Sequence, residues 1–135
     1  MISKICRALP AAVVLFSILA MAGCSSSKFD GKWAGKTSQG KEFRFTVSGG
    51  SVTSAYIEFD LTCERNGFCP AGGNIEENLG AKISGDSFSA SIEGKASVSG
   101  KFESDASASG ELNVKENDAS CGACVASVAW TARKL

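Results

Sequence analysis

Glu42-Phe43-Arg44-Phe45-Thr46-Val47, then Gly49-Gly50-Ser51, then Thr53-Ser54-Ala55-Tyr56-Ile57-Glu58-Phe59-Asp60-Leu61: apolar and polar residues alternate on both sides of a glycine pair. A period of two is the spacing at which a strand sends successive side chains to opposite faces. Phe43, Phe45 and Val47 therefore share one face, as do Ala55, Ile57, Phe59 and Leu61, and the glycines mark a hairpin. A two-residue Gly-Gly turn would set Phe45 against Ser54, mixing apolar and polar on one face. A three-residue loop sets Phe45 opposite Ala55 and Phe43 opposite Ile57, so matching faces predicts the longer connection.

The same logic repeats downstream. Ala96, Val98, Gly100 and Phe102 alternate, then Ala108, Gly110, Leu112 and Val114. A three-residue loop at Ser104-Asp105-Ala106 places Gly100 opposite Gly110, Val98 opposite Leu112 and Phe102 opposite Ala108. Paired inward glycines would leave room for Trp33 or Trp130 and let the sheet bend. The phrase Ser97-Val98-Ser99-Gly100-Lys101-Phe102 recurs as Ser107-Ala108-Ser109-Gly110-Glu111-Leu112, and two copies make a hairpin rather than a solenoid. Further strands over residues 32–36, 81–84, 87–92 and 125–133 bring the total to about eight, with no helical period after residue 23. The expectation is an all-β antiparallel meander. A small β-barrel is preferred to a two-sheet β-sandwich because closure removes exposed edges. Phe43, Phe45, Ile57, Phe59, Phe88, Ile92, Phe102 and Trp130 would fill its interior.

The address is written at the front. Lys4 and Arg7 precede an apolar run over residues 8–22, which ends in Met21-Ala22-Gly23-Cys24 and opens onto Ser25-Ser26-Ser27. An apolar stretch of 15 residues is too short to cross a bilayer, which takes about 20, and the order of charge, apolar run and small residues is that of a signal peptide. The tetrapeptide resembles the lipobox of bacterial lipoproteins. That resemblance implies a diacylglycerol on the Cys24 sulfur, cleavage before Cys24 and acylation of the new amine. Residues 1–23 are then a cleaved signal, 24–30 a lipidated cysteine with its tether, and 31–135 the β domain. One acyl chain binds a membrane only marginally, at about 0.8 kcal/mol per buried methylene, whereas two or three hold stably. Ser25 implies the outer membrane of the cell envelope if the host is Gram-negative.

Cleavage leaves 112 residues (135 − 23), one domain, with 12 basic and 14 acidic side chains. A chain that is slightly acidic lacks the basic stripe a nucleic-acid partner requires. Cys6 leaves with the signal and Cys24 carries lipid, so Cys63, Cys69, Cys121 and Cys124 remain, an even count that suggests two disulfides in an exported chain. Three pairings are open. Cys63 continues the inward parity of Phe59 and Leu61, and Cys124 shares that of Ala126, Val128 and Trp130. This favours Cys63 with Cys124 and Cys69 with Cys121 over the local set of Cys63 with Cys69 and Cys121 with Cys124. Cys121-Gly122-Ala123-Cys124 also has redox or zinc spacing, but it follows a polar loop and leads into a strand, whereas a redox thiolate wants a helix N-terminus.

Catalytic chemistry is poorly supplied. The chain has no histidine, which removes Ser-His and Cys-His hydrolases and histidine metal centres. Glu58 and Asp60 share a strand face with Tyr56 and, across the hairpin, Arg44, which reads as a solvated charged face rather than a glycosidase pair. No enzyme, metal or cofactor is expected. Residues 64–78 form the one long insertion and are the candidate binding loop, with Arg65, Asn66, Phe68 and Asn74 its contact residues.

Gly31-Lys32-Trp33-Ala34-Gly35 at the start and Trp130-Thr131-Ala132-Arg133 at the end make residues 31–134 similar to small secreted bacterial β domains with a G-x-W-x-G opening and a closing W-x-A strand. The G-x-W opening is also similar to that of lipocalins, whose last-strand arginine packs on the tryptophan, here Arg133 and Trp33. The functional expectation is a non-enzymatic, lipid-anchored surface or binding module of the cell envelope that meets the membrane through its anchor and a protein partner at the loop. A lipocalin-like carrier of a small apolar ligand is the alternative.

Overall fold

The computed structural model describes residues 27–135. The proposed signal segment, the Cys24 lipid site and Ser25-Ser26 lie outside the described residues. Ten strands follow one another: β1 (Gly31–Thr37), β2 (Glu42–Ser48), β3 (Ser51–Asp60), β4 (Thr62–Cys63), β5 (Gly72–Glu77), β6 (Ala81–Lys82), β7 (Ser87–Ile92), β8 (Ala96–Phe102), β9 (Ser107–Asp118) and β10 (Gly122–Lys134). Every pairing is antiparallel. They form one sheet in the order β5-β3-β2-β1-β10-β9-β8-β7.

The sheet curls into an open half-barrel. β5 and β7 end the ordered path. Two-residue β6 ties the ends together at one rim, since Val52 pairs with Ala81 and, just beyond, Ser84 bridges Ser87.

The first hairpin keeps the predicted facing, Phe43 opposite Ile57 and Phe45 opposite Ala55, by a different device. Its turn has two residues, Gly49 and Gly50, both with positive φ (62° and 76°), which suits the twist of a tight hairpin. Ser48 then pairs with Ser51 and Val47 with Val52, but Thr46 pairs with Ser54, so Thr53 is left over as a bulge. The extra residue that register demands sits in the strand and not in the loop.

The second hairpin has the predicted register throughout: Gly100 faces Gly110, Val98 faces Leu112 and Phe102 faces Ala108. A β-carbon on Gly100 would lie 2.6 Å from Trp130 Cζ2 and 2.5 Å from Phe88 Cε1. The glycine pair therefore makes the space that the Trp130 indole occupies.

Alternation puts one apolar face of every long strand inside. Trp130 stacks on Phe43 (centroids 4.3 Å apart, planes 9° apart), Trp33 stacks on Phe45 at 5.6 Å, and Phe45, Phe88 and Phe102 bridge the two groups. Such pairs add about 0.5–1.5 kcal/mol each beyond the area they bury. Trp33 Nε1 donates to the Phe29 carbonyl at 2.9 Å, while Trp130 Nε1 meets no acceptor among the described residues. Arg133 points outward, opposite Ala34, and so does not pack on buried Trp33 as the lipocalin resemblance implies.

Strand direction fixes two poles. β10 runs 13 residues from one to the other, about 40 Å at the usual strand rise. At its end lie the tether residues, the Gly49-Gly50 turn and the β8–β9 turn. At its start lie the β3–β5 connection and the β9–β10 turn, while the Thr37 to Lys41 turn sits beside Ala129 and Trp130, partway along the strand.

Candidate functional site

The tether is seated at the first pole. Phe29 is buried and stacks on Phe102 at 4.2 Å. Asp30 accepts from the Gly49 and Gly50 N–H groups at 3.2 and 3.3 Å and from the Ser27 hydroxyl at 3.1 Å. Lys134 Nζ donates to the Lys28 carbonyl at 3.0 Å. The described chain begins three residues after Cys24, a reach of at most about 10 Å.

The opposite pole is built by β3 running past the end of its neighbour. Gln39 stands in for the missing residue of β2: its Oε1 accepts from the Asp60 N–H at 2.8 Å and its Nε2 donates to the Asp60 carbonyl at 3.0 Å. Beyond Asp60 the chain crosses to β10, where β1 no longer pairs, and β4 fills that edge with Thr62 opposite Val125 and Cys63 opposite Cys124.

Two disulfides join Cys63 to Cys124 and Cys69 to Cys121, the pairing that inward parity favours. The C-x-x-C spacing therefore holds the ends of two separate bridges. All four thiols are consumed, and no cluster of metal-ligating side chains exists among the described residues.

Between the bridges the backbone is pinned. Glu64 N–H donates to the Ala123 carbonyl and Arg65 N–H to the Cys121 carbonyl, both at 3.0 Å. The Glu64 carboxylate accepts from the Ala123 N–H at 3.2 Å, and Asp118 Oδ1 caps Ser120 and Cys121 N–H at 2.8 and 2.9 Å. Gly122 has φ of 73°, and a β-carbon there would come within 2.5 Å of Glu64 Oε2. Asn66, Gly67 and Phe68 are exposed, and Phe68 is wholly so. The Arg65 side chain makes one long hydrogen bond, Nη1 to the Ser120 carbonyl at 3.5 Å.

Asn74 does not belong to this loop. Residues 64–78, expected as one insertion, divide into a bridged loop and strand β5, where Asn74 lies opposite Glu58. The structure brings Arg65, Asn66 and Phe68 together at the rim and sets Asn74 on the sheet. Sequence reasoning missed β5 because Gly72-Gly73-Asn74-Ile75-Glu76-Glu77 has one apolar residue, too few for alternation to register.

The outer face near β5 is charged. Arg44 Nε pairs with Glu42 Oε1 at 2.6 Å, and its guanidinium lies 4.6 Å from the Tyr56 ring centre. Tyr56 OH donates to Glu58 Oε1 at 2.7 Å. That hydrogen bond holds the Glu58 carboxyl below its ordinary range and raises the Tyr56 phenol above its own. These contacts make a structured surface network in which the Glu58 carboxylate holds the Tyr56 hydroxyl. No protein-family model, curated protein or solved structure matches the chain.

Proposed function

We propose that this chain is a lipid-anchored, non-enzymatic binding module of the cell envelope. In this reading Cys24 carries the lipid and residues 64–78 form the contact surface. The observation that carries it is Phe68, a fully exposed aromatic on a loop fixed by two disulfides, at the pole opposite the seated tether. An exposed phenyl ring gains nothing for folding, and a pre-fixed loop has little ordering entropy left to lose on binding. Aromatic residues so presented are common anchors of interfaces. The stacked interior supports a binding module over a ligand carrier, because core aromatics occupy the space a ligand would need.

Two measurements test the reading. Metabolic labelling with palmitate should mark the wild type and not Cys24→Ser, and the variant should leave the membrane fraction. In-cell cross-linking should capture a discrete partner that Phe68→Ser loses, with the circular dichroism spectrum unchanged. An unlabelled wild type refutes the anchor, and identical cross-links in Phe68→Ser refute the contact surface.

A further inference from the structure

β5 is an open sheet edge. On one side it pairs with β3, and the Leu61 N–H to Ala71 carbonyl bond (2.8 Å) and the Leu79 N–H to Thr53 carbonyl bond (3.0 Å) fix the phase of that ladder. Alternation then directs the backbone groups of Gly73, Ile75 and Glu77 toward β3. The N–H and C=O groups of Gly72, Asn74 and Glu76 face the other way, where no strand lies among the described residues. Five of the six β5 residues are exposed and Ile75 is half-buried. An edge of this kind is a template for one more strand.

Its side chains select what could be added. Glu76 lies opposite Tyr56 on the outer face, and Glu77 lies opposite buried Ala55, so the edge carries a carboxylate on each side of the sheet. Neither has a cationic partner within 4.0 Å among the described residues. Two β5 edges brought together would oppose like charges, which disfavours a second copy as the occupant. Toward the bridged pole, Gly72 and Gly73 leave the backbone uncovered beside a shallow groove lined by Lys41, Glu58, Asp60 and Asn74.

We infer that β5 is a docking edge for an extended, basic segment of a partner protein. The segment would pair antiparallel or parallel with Gly72, Asn74 and Glu76. It would place Lys or Arg beside Glu76 and Glu77, and an apolar residue beside Ile75. The inference deepens the reading of residues 64–78 as the contact surface and rests on it, while being independent of the lipid anchor. Phe68 lies four residues before Gly72, so a segment running off β5 toward the bridged pole would reach the exposed ring.

The test uses the purified full chain and a synthetic peptide, acetyl-Thr-Lys-Val-Lys-Lys-Val-Thr-amide, whose Val-Lys-Lys and Lys-Lys-Val runs match Ile75-Glu76-Glu77 in either direction, with a glutamate-for-lysine version and a version carrying proline at both valines. Amide hydrogen exchange should show Asn74 and Glu76 exchanging freely in the protein alone and protected with the lysine peptide. The Glu76→Lys/Glu77→Lys variant should weaken binding at least tenfold. Asn74→Pro, which removes an N–H that bonds nothing in the sheet, should abolish the protection while leaving the fold intact. Equal binding of the proline peptide, unchanged affinity in the charge variant, or protection elsewhere than β5 would overturn the assignment. Phe68→Ser cross-linking separates the two proposals. Loss of the cross-link without peptide protection refutes the edge alone, and protection with an unaffected cross-link refutes the Phe68 surface while the edge stands.

Discussion

Removing the disulfides singly and together gives a result that depends on how the two rings share chain. Cys63–Cys124 spans 61 residues of sequence and Cys69–Cys121 spans 52. In the chain-entropy account a first bridge over 61 residues lowers the unfolded state's entropy by the equivalent of about 4.3 kcal/mol. Once it exists, residues 69 and 121 are already joined by a short circuit of about ten residues through the first bridge (69 − 63 = 6 on one arm, 124 − 121 = 3 on the other). The second bridge then adds only about 2.7 kcal/mol. Losing either bridge alone should cost about 2.8 kcal/mol, and losing both about 7, roughly 1.4 more than the sum of the single losses. Alanine is the replacement of choice, because Cys121 and Cys124 are buried and a hydroxyl there would carry its own desolvation cost. Urea unfolding of the four proteins, at one fixed concentration of trimethylamine N-oxide to keep the bridge-free variant folded, measures the cycle. Strictly additive losses would refute the shared circuit and with it the claim that both bridges act on one loop.

Three further outcomes follow from particular residues. Gly100→Ala should cost about 1–3 kcal/mol and alter tryptophan fluorescence, since its methyl group enters the space held by Trp130 and Phe88; an unchanged urea midpoint would contradict the packing account. Glu93 has φ of 47° in the turn beside Gly94, a conformation costing most side chains about 1–2 kcal/mol, so Glu93→Asn should raise the midpoint by a fraction of that. Glu58 should titrate below the ordinary glutamate value of 4.5 by NMR, and Tyr56→Phe should return it toward that value. Because the folded state holds this carboxyl ionised more tightly than the unfolded state does, its contribution to stability is present above the ordinary value and disappears as pH falls through the folded-state one.

What could be read from the chain, and what could not, divides along physical lines. Phe43 facing Ile57 and Gly100 facing Gly110 were legible because a buried face penalises any slip of one residue. The location of the extra residue was not legible. A loop residue and the bulge at Thr53 restore the same facing, and only the two positive φ values at Gly49 and Gly50 distinguish them. The preference for a barrel came from the cost of open edges, yet β5 and β7 still end the sheet. β7 itself sends Phe88 and Ile92 into the apolar core, and Glu76 and Glu77 guard β5 by charge. At the candidate site, Cys63 and Cys124 could be matched by parity, whereas Asn74 was grouped with Phe68 because a strand with one apolar residue leaves no periodic trace. Gln39 was beyond reach for another reason: a side chain that completes a ladder depends on where β2 stops, which no local pattern encodes.

The central claim is that a lipid at Cys24 holds the tether pole against the membrane and the bridged loop away from it. Energy transfer from a fluorophore at position 68, and separately at position 105, to acceptor lipids in vesicles carrying the acylated protein tests it directly. The account predicts position 105 within tether reach of the headgroups and position 68 farther out by about 40 Å, the length of β10. Equal heights for the two positions, or position 68 at the bilayer surface, would contradict it.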